Sequence, residues 1–157
     1  MNVFARMGFG CVAGVAATYI MDAVTVIVYT EDIVKRERAV QDKSATQVLA
    51  TKMLQALDLT PSDKDVEKIA PLLHWSFGIG SGMLAGFLAG RRGASAAFAV
   101  AAGMFLFDEV GLSLLGTAPP ANRYPWQTNF RSALGHAVYA HSLAMGYEAL
   151  TALARSK

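Results

Sequence analysis

The residues best equipped for chemistry in this 157-residue chain are five ionisable groups in apolar surroundings: Asp22, His74, the adjacent Asp108 and Glu109, and His136. The acid pair is the sharpest signal, because it interrupts FLFDEVGLSLLG (105–116), a run otherwise apolar enough to enter a bilayer. A carboxylate at membrane depth costs about 3 kcal/mol or more unless it faces protein or water, so each acid needs a partner. Imidazoles and carboxylates in mixed array can do three things. They can hydrogen-bond one another and fix which helices are neighbours. They can pass a proton or an ion. They can also ligate Zn, Fe or Mn, with His74, His136 and Asp108 as candidate ligands and Glu109 or Tyr139 behind them.

Haem b held by two histidines is a variant of the metal reading. The chain has only three histidines, too few for the arrays of membrane hydroxylases, and no CxxCH for covalent haem. Gly80-Ser81-Gly82 falls short of the G-x-S-G of intramembrane serine proteases, which would need Gly where Ile79 stands. No nucleophile with its base is recognisable, so an enzymatic reading would have to run through a metal. The expectation is a non-catalytic protein without a cofactor, with a metal ion or haem as the alternative.

The elements that position these groups follow from composition. A content of 54% hydrophobic and 17% charged residues is skewed away from a soluble globule. The excess collects in four segments, 8–29, 71–90, 94–116 and 133–153, each about the ~20 residues a helix needs to cross the hydrocarbon. This predicts an all-α fold, a single integral membrane four-helix bundle over 1–157. The first segment is too long for the apolar core of a secretory signal and carries Asp22, so it reads as a span. Cys11 is the single cysteine, which excludes a disulfide framework, and a net charge of +2 without a basic tract argues against nucleic acid.

Small residues indicate how the spans pack. Gly10 and Gly14 stand in GxxxG spacing, and Gly14, Thr18, Asp22, Thr25 and Tyr29 share one stripe of helix one. Gly78, Gly82, Gly86 and Gly90 recur every fourth residue and cut a flat groove in helix two, with His74 continuing their line. Arg91-Arg92-Gly93 reads as a tight turn. In helix three Ala97, Ala101, Met104, Asp108 and Gly111 share a face, while Glu109 sits about 100° round, so a regular helix brings only one acid to the centre of a site. Helix four has two polar faces, one with His136 and Tyr147, the other with His141 and Glu148. The second face predicts a homo-oligomer or a subunit of a larger membrane complex.

The segment 30–70 is polar and reads as an extramembrane amphipathic helical connector. Glu31 with Lys35 and Asp32 with Arg36 favour helix one running on as a solvated extension. Ser44 and Gln47 form a capping-box pattern ahead of Val48, Leu49, Met53, Ala56 and Leu57, a helix expected on the bundle end rather than on the membrane surface. Ser62 is the expected cap of a short turn before Pro71. The acids from Asp58 to Glu67 lack the glycine and ligand spacing of a calcium loop. Beyond helix three, a proline-rich loop over 117–132 contributes Tyr124, Trp126 and Phe130, with Tyr29 and Trp75, to an interfacial aromatic belt.

HWSFGIGSGMLAG, then FDEVGLSLLG with a proline loop, then LGHAVYAH, over about residues 71–150, resembles the YagU-type small bacterial inner-membrane proteins of unknown function. The resemblance implies a multi-pass protein of the bacterial inner membrane and no established reaction.

Four passes put the end of helix one, the start of helix two, the end of helix three and the start of helix four on one side, here called side B. Asp22, His74, Asp108 and His136 then lie about 5 to 12 Å below that boundary, in one layer. Side B holds nine Lys or Arg and the opposite side A five, which favours side B as cytoplasmic.

Overall fold

A computed structural model describes residues 1–92 and 94–156; the side chains of Arg91 and Arg92, and Gly93 with the tight turn expected there, lie outside the described part. The chain forms α1 (Val3–Ile27), α2 (Glu31–Val40), α3 (Ala45–Gln55), α4 (Asp63–Arg92), α5 (Ser95–Leu106), a π turn (Phe107–Gly111), α6 (Leu112–Leu114), a 3₁₀ turn (Ala121–Arg123) and α7 (Trp126–Arg155). No strand occurs among the described residues.

Local capping moves several boundaries from those the apolar runs suggest. Asn2 accepts from the Ala5 amide at 2.8 Å and starts α1 at Val3 rather than Gly8. The helix ends at Ile27, and the expected solvated extension is a separate helix, α2, set off by a break over 28–30. The Ser44–Gln47 capping box is formed and opens α3. Ser62 caps α4 itself rather than a short turn. Its backbone amide donates to Asp65 at 3.1 Å, and its hydroxyl accepts from the Asp65 amide at 3.3 Å.

The helix therefore begins at Asp63 and carries Pro71 inside it, at the cost of one backbone hydrogen bond near its polar end. α7 likewise begins at Trp126, directly after Pro125, well before Ala133. Acids of the 58–67 stretch have structural work. Asp58 takes the left-handed conformation just beyond α3, with φ 58°, and Asp63 holds Lys43 at 2.8 Å.

α1 lies between α4 and α7 and runs antiparallel to both, and α5 packs on α4 and α7 from the far side. The α1–α4 seam is backbone on backbone. A Cβ on Gly10 would strike the Gly82 carbonyl, one on Gly86 the Arg6 carbonyl, and one on Gly82 the Gly10 carbonyl and, at 2.7 Å, Gly14 Cα. Gly78 is filled by the Thr18 side chain, whose hydroxyl donates back to the Gly14 carbonyl at 2.8 Å, and Gly90 leaves room for the Arg6 guanidinium. The core beside this seam is built of small residues, Ala13, Ala17, Ala85, Ala97 and Ala101, closed by Tyr139 and Leu143, both fully buried. Tyr139 crosses the middle of the bundle and donates its hydroxyl to the Gly78 carbonyl at 2.5 Å.

Large apolar side chains are on the outside. Phe4, Ile27 and Leu114 are 79%, 80% and 83% exposed, an arrangement suited to a lipid solvent. Among the described residues three helices are long and apolar enough to cross a membrane: Val3–Ile27, Asp63–Gly90 and Ser95–Leu114. The fourth expected span falls within α7, which is not among them.

Replacing Gly82 with Leu forces α1 and α4 apart where their backbones touch, and overpacking of this kind costs about 1 to 3 kcal/mol. The detergent-solubilised variant is expected to melt well below the wild type, and an unchanged melting curve would contradict the seam.

Candidate functional site

Two His–carboxylate pairs form at the side-B end of the bundle, each tying two helices. His74 Nε2, on α4, lies 2.9 Å from Asp22 Oδ1 on α1, with both side chains about two-fifths exposed. His136 Nε2, on α7, lies 3.4 Å from Asp108 Oδ2 on the π turn, with the imidazole 12% and the carboxylate 46% exposed. His74 and Glu109 also lie within electrostatic reach of Asp108, so the two pairs belong to one layer.

The π turn departs from the regular helix the sequence implies. The Leu112 amide bonds to the Phe107 carbonyl five residues back, which widens the turn carrying Asp108 and Glu109. Both acids line the same cavity, and the regular helix on which only one of them is expected to reach the centre of a site is not the conformation adopted here. Gly111 makes room for the Phe107 ring, which leans toward Phe77 of α4 with centroids 6.1 Å apart.

The protonation of His136 follows from its other nitrogen. Nδ1 lies 2.9 Å from the Ser132 carbonyl, which can only accept, so Nδ1 carries a hydrogen. In the neutral ring Nε2 then presents a lone pair to a carboxylate. The contact is attractive only when one further proton lies between them, on Nε2 or on Asp108. His74 differs, since a neutral ring can donate from Nε2 to Asp22 without an extra proton.

Above this layer lies a cavity of about 770 Å³, floored by His74, Asp108, Glu109, His136 and Tyr139. Its roof is the α2–α3 segment folded back over the bundle, with α3 resting on α4. Glu37 of α2 accepts from Tyr29 Oη at 2.8 Å and from the Arg131 guanidinium at 3.3 and 3.5 Å, and that guanidinium lies 3.8 Å over the Tyr29 ring. Gln41 donates to the Thr117 carbonyl at 3.0 Å and accepts from Tyr124 Oη at 2.9 Å. Burial, with the nearby Glu37 charge, raises the Tyr124 phenol above its ordinary pKa and keeps it a donor. Lys52 caps the Leu115 carbonyl at 2.8 Å.

This latch escapes a reading by spacing, because Glu37 and Arg131 are 94 positions apart. Tyr29 and Tyr124, expected in an interfacial belt, are spent in it, whereas Trp126 and Phe130 are exposed with ring centroids 6.3 Å apart.

Other candidate residues fall elsewhere. Gly10, Gly14, Gly78, Gly82, Gly86 and Gly90 serve the α1–α4 seam. His141 and Glu148 are exposed on the outer face of α7, where His141 meets the Phe98 ring edge-on at 5.1 Å. Among the described residues no three His, Cys, Asp or Glu side chains converge as a metal would require, so His74, His136 and Asp108 do not form one ligand set. A haem between the two histidines fits no better, because each Nε2 already faces a carboxylate. No known family, curated protein or solved structure matches the chain.

Nitrogen-15 spectra of histidine-labelled protein are expected to show the neutral His136 ring with its hydrogen on Nδ1, the minor tautomer in water. A neutral ring protonated at Nε2 would contradict the assignment.

Proposed function

We propose that the chain is a four-pass membrane protein that takes up a proton from side B at the His136–Asp108 pair, as the proton-linked part of a binding site. The single observation carrying this reading is the locked Nδ1 hydrogen of His136, which leaves Nε2 and the Asp108 carboxylate to share one proton at the floor of a cavity. Transfer right across the bundle is not part of the proposal. Toward side A the packing is Ala13, Ala85, Ala97, Leu143 and Ala144, apolar side chains that offer a relay no step.

The reading of α7 as a fourth span is supported by its course beside α1. Gly135 meets Thr25 near one end and Gly146 meets Ala13 further along, so the two helices share the same depth. The resemblance to YagU-type proteins favours the bacterial inner membrane, and the Lys/Arg balance favours side B as cytoplasmic. The His74–Asp22 pair has the simpler role of pinning α1 to α4.

Potentiometric titration of the solubilised protein from about pH 8 to about pH 5 is expected to count about one proton fewer for the double variant Asp108→Asn, His136→Gln, which removes both acceptors of the shared proton, than for wild type. Equal uptake would remove the pair from the function.

A second copy of the chain is the proposed partner of the outer α7 face, because His141 and Glu148 would otherwise meet lipid, where ionisable groups are costly. The mass of the detergent-solubilised particle is expected to be that of a dimer or larger, and a clean monomer would exclude it.

A further inference from the structure

Resting on the proton reading of His136–Asp108, we propose that the cavity binds a lipophilic organic cation, which displaces the shared proton. The cavity's volume, about 770 Å³, is that of a small-molecule site. Its charges select the sign of the ligand. Both the exposed Lys43 and the half-buried Arg131 in its lining are already engaged, Lys43 by Asp63 at 2.8 Å and Arg131 by Glu37 at 3.3 Å.

The acids of the floor are not matched in the same way. Glu109 has no hydrogen-bond or ion-pair partner among the described residues, and His74 facing it from α4 is taken by Asp22 of α1. Asp108 has only the single proton it shares with His136 of α7. Tyr139 of α7 is committed to the Gly78 carbonyl, and Tyr124, just before α7, to Gln41 of the roof. A monovalent cation seated here leaves the site's charge unchanged if that proton departs: protonated site plus cation gives cation-bound site plus a proton released to side B.

The walls specify a greasy cation rather than a metal ion. Phe77 and Phe107, packed on each other with ring centroids 6.1 Å apart, both line the cavity and put aromatic surface beside the acids, where a diffuse positive charge is favoured. Deeper in, Leu84 and Leu88 of α4 and Val100 and Gly103 of α5 line the same space. Leu84 is 49% exposed and Gly103 is also exposed, so the cavity opens sideways between α4 and α5 as well as upward. A Cβ on Gly103 would meet nothing within 4 Å, which marks that gap as open. A ligand dissolved in the bilayer thus has a path to the acids.

The test uses the full chain in detergent, with equilibrium dialysis of tetraphenylphosphonium and of tetraphenylborate, ions of nearly the same shape and opposite charge. The phosphonium is expected to bind at least about tenfold more tightly than the borate, and to lose about tenfold in affinity between about pH 8 and about pH 5. Glu109→Gln is expected to weaken it about tenfold. Gly103→Phe should block it while leaving helicity and melting temperature intact, since the new side chain enters open space. Absent binding, or equal binding of the two ions, overturns the proposal even where the Asp108 proton count holds. Phosphonium binding that ignores pH overturns the exchange and leaves Asp108 outside it.

Discussion

Everything in this bundle depends on how closely two backbones can approach. Where α1 crosses α4, the glycines remove every side-chain atom between the chains, and the Gly10 carbonyl sits against Gly82. Such an approach gains dispersion contacts along the whole seam and needs no hydrophobic driving force, which a lipid solvent does not supply. It also fixes the axial register of α1 against α4, and that register sets Asp22 beside His74. With α1 and α4 joined so tightly, α5 touches α4 and α7 while a space remains on the side-B half between them, and the cavity occupies it.

The π turn is the second consequence of packing on chemistry. A regular helix would aim Asp108 and Glu109 about 100° apart, one toward α7 and one away. Inserting a residue into the turn costs regular hydrogen bonding but widens the helix where both acids occur, and π turns are frequent at functional sites for this reason. The same turn lets the Phe107 ring settle over Gly111 and reach Phe77. Local geometry and the shape of the cavity are one feature here.

The sequence makes some of this visible. The four-residue glycine repeat announces a close helix contact, and counting rise per residue places Asp22, His74, Asp108 and His136 at one level without saying which pairs with which. The Ser44 capping box is readable because it is local. The π turn is not, since the one strong helix-weakening residue of FDEVG, Gly111, does not distinguish a π turn from an ordinary α-helix. The latch of Glu37, Gln41, Tyr124 and Arg131 is equally silent, because its partners meet only after the whole chain has folded. Boundaries shift for a different reason: Asn2, Ser62 and Pro125 start helices in polar sequence, where hydrophobicity gives no signal.

That latch has a bearing on how the molecule is made. Glu37 leaves the ribosome 94 residues before Arg131, and at about 5 to 20 residues per second the wait is roughly 5 to 19 s. During that interval α1 and α4 can already associate along their glycines and α3 can settle on α4, whereas Glu37 still lacks Arg131 and Gln41 lacks Thr117 and Tyr124. The latch, rather than the helices it fastens, is thus the last part of the molecule to set.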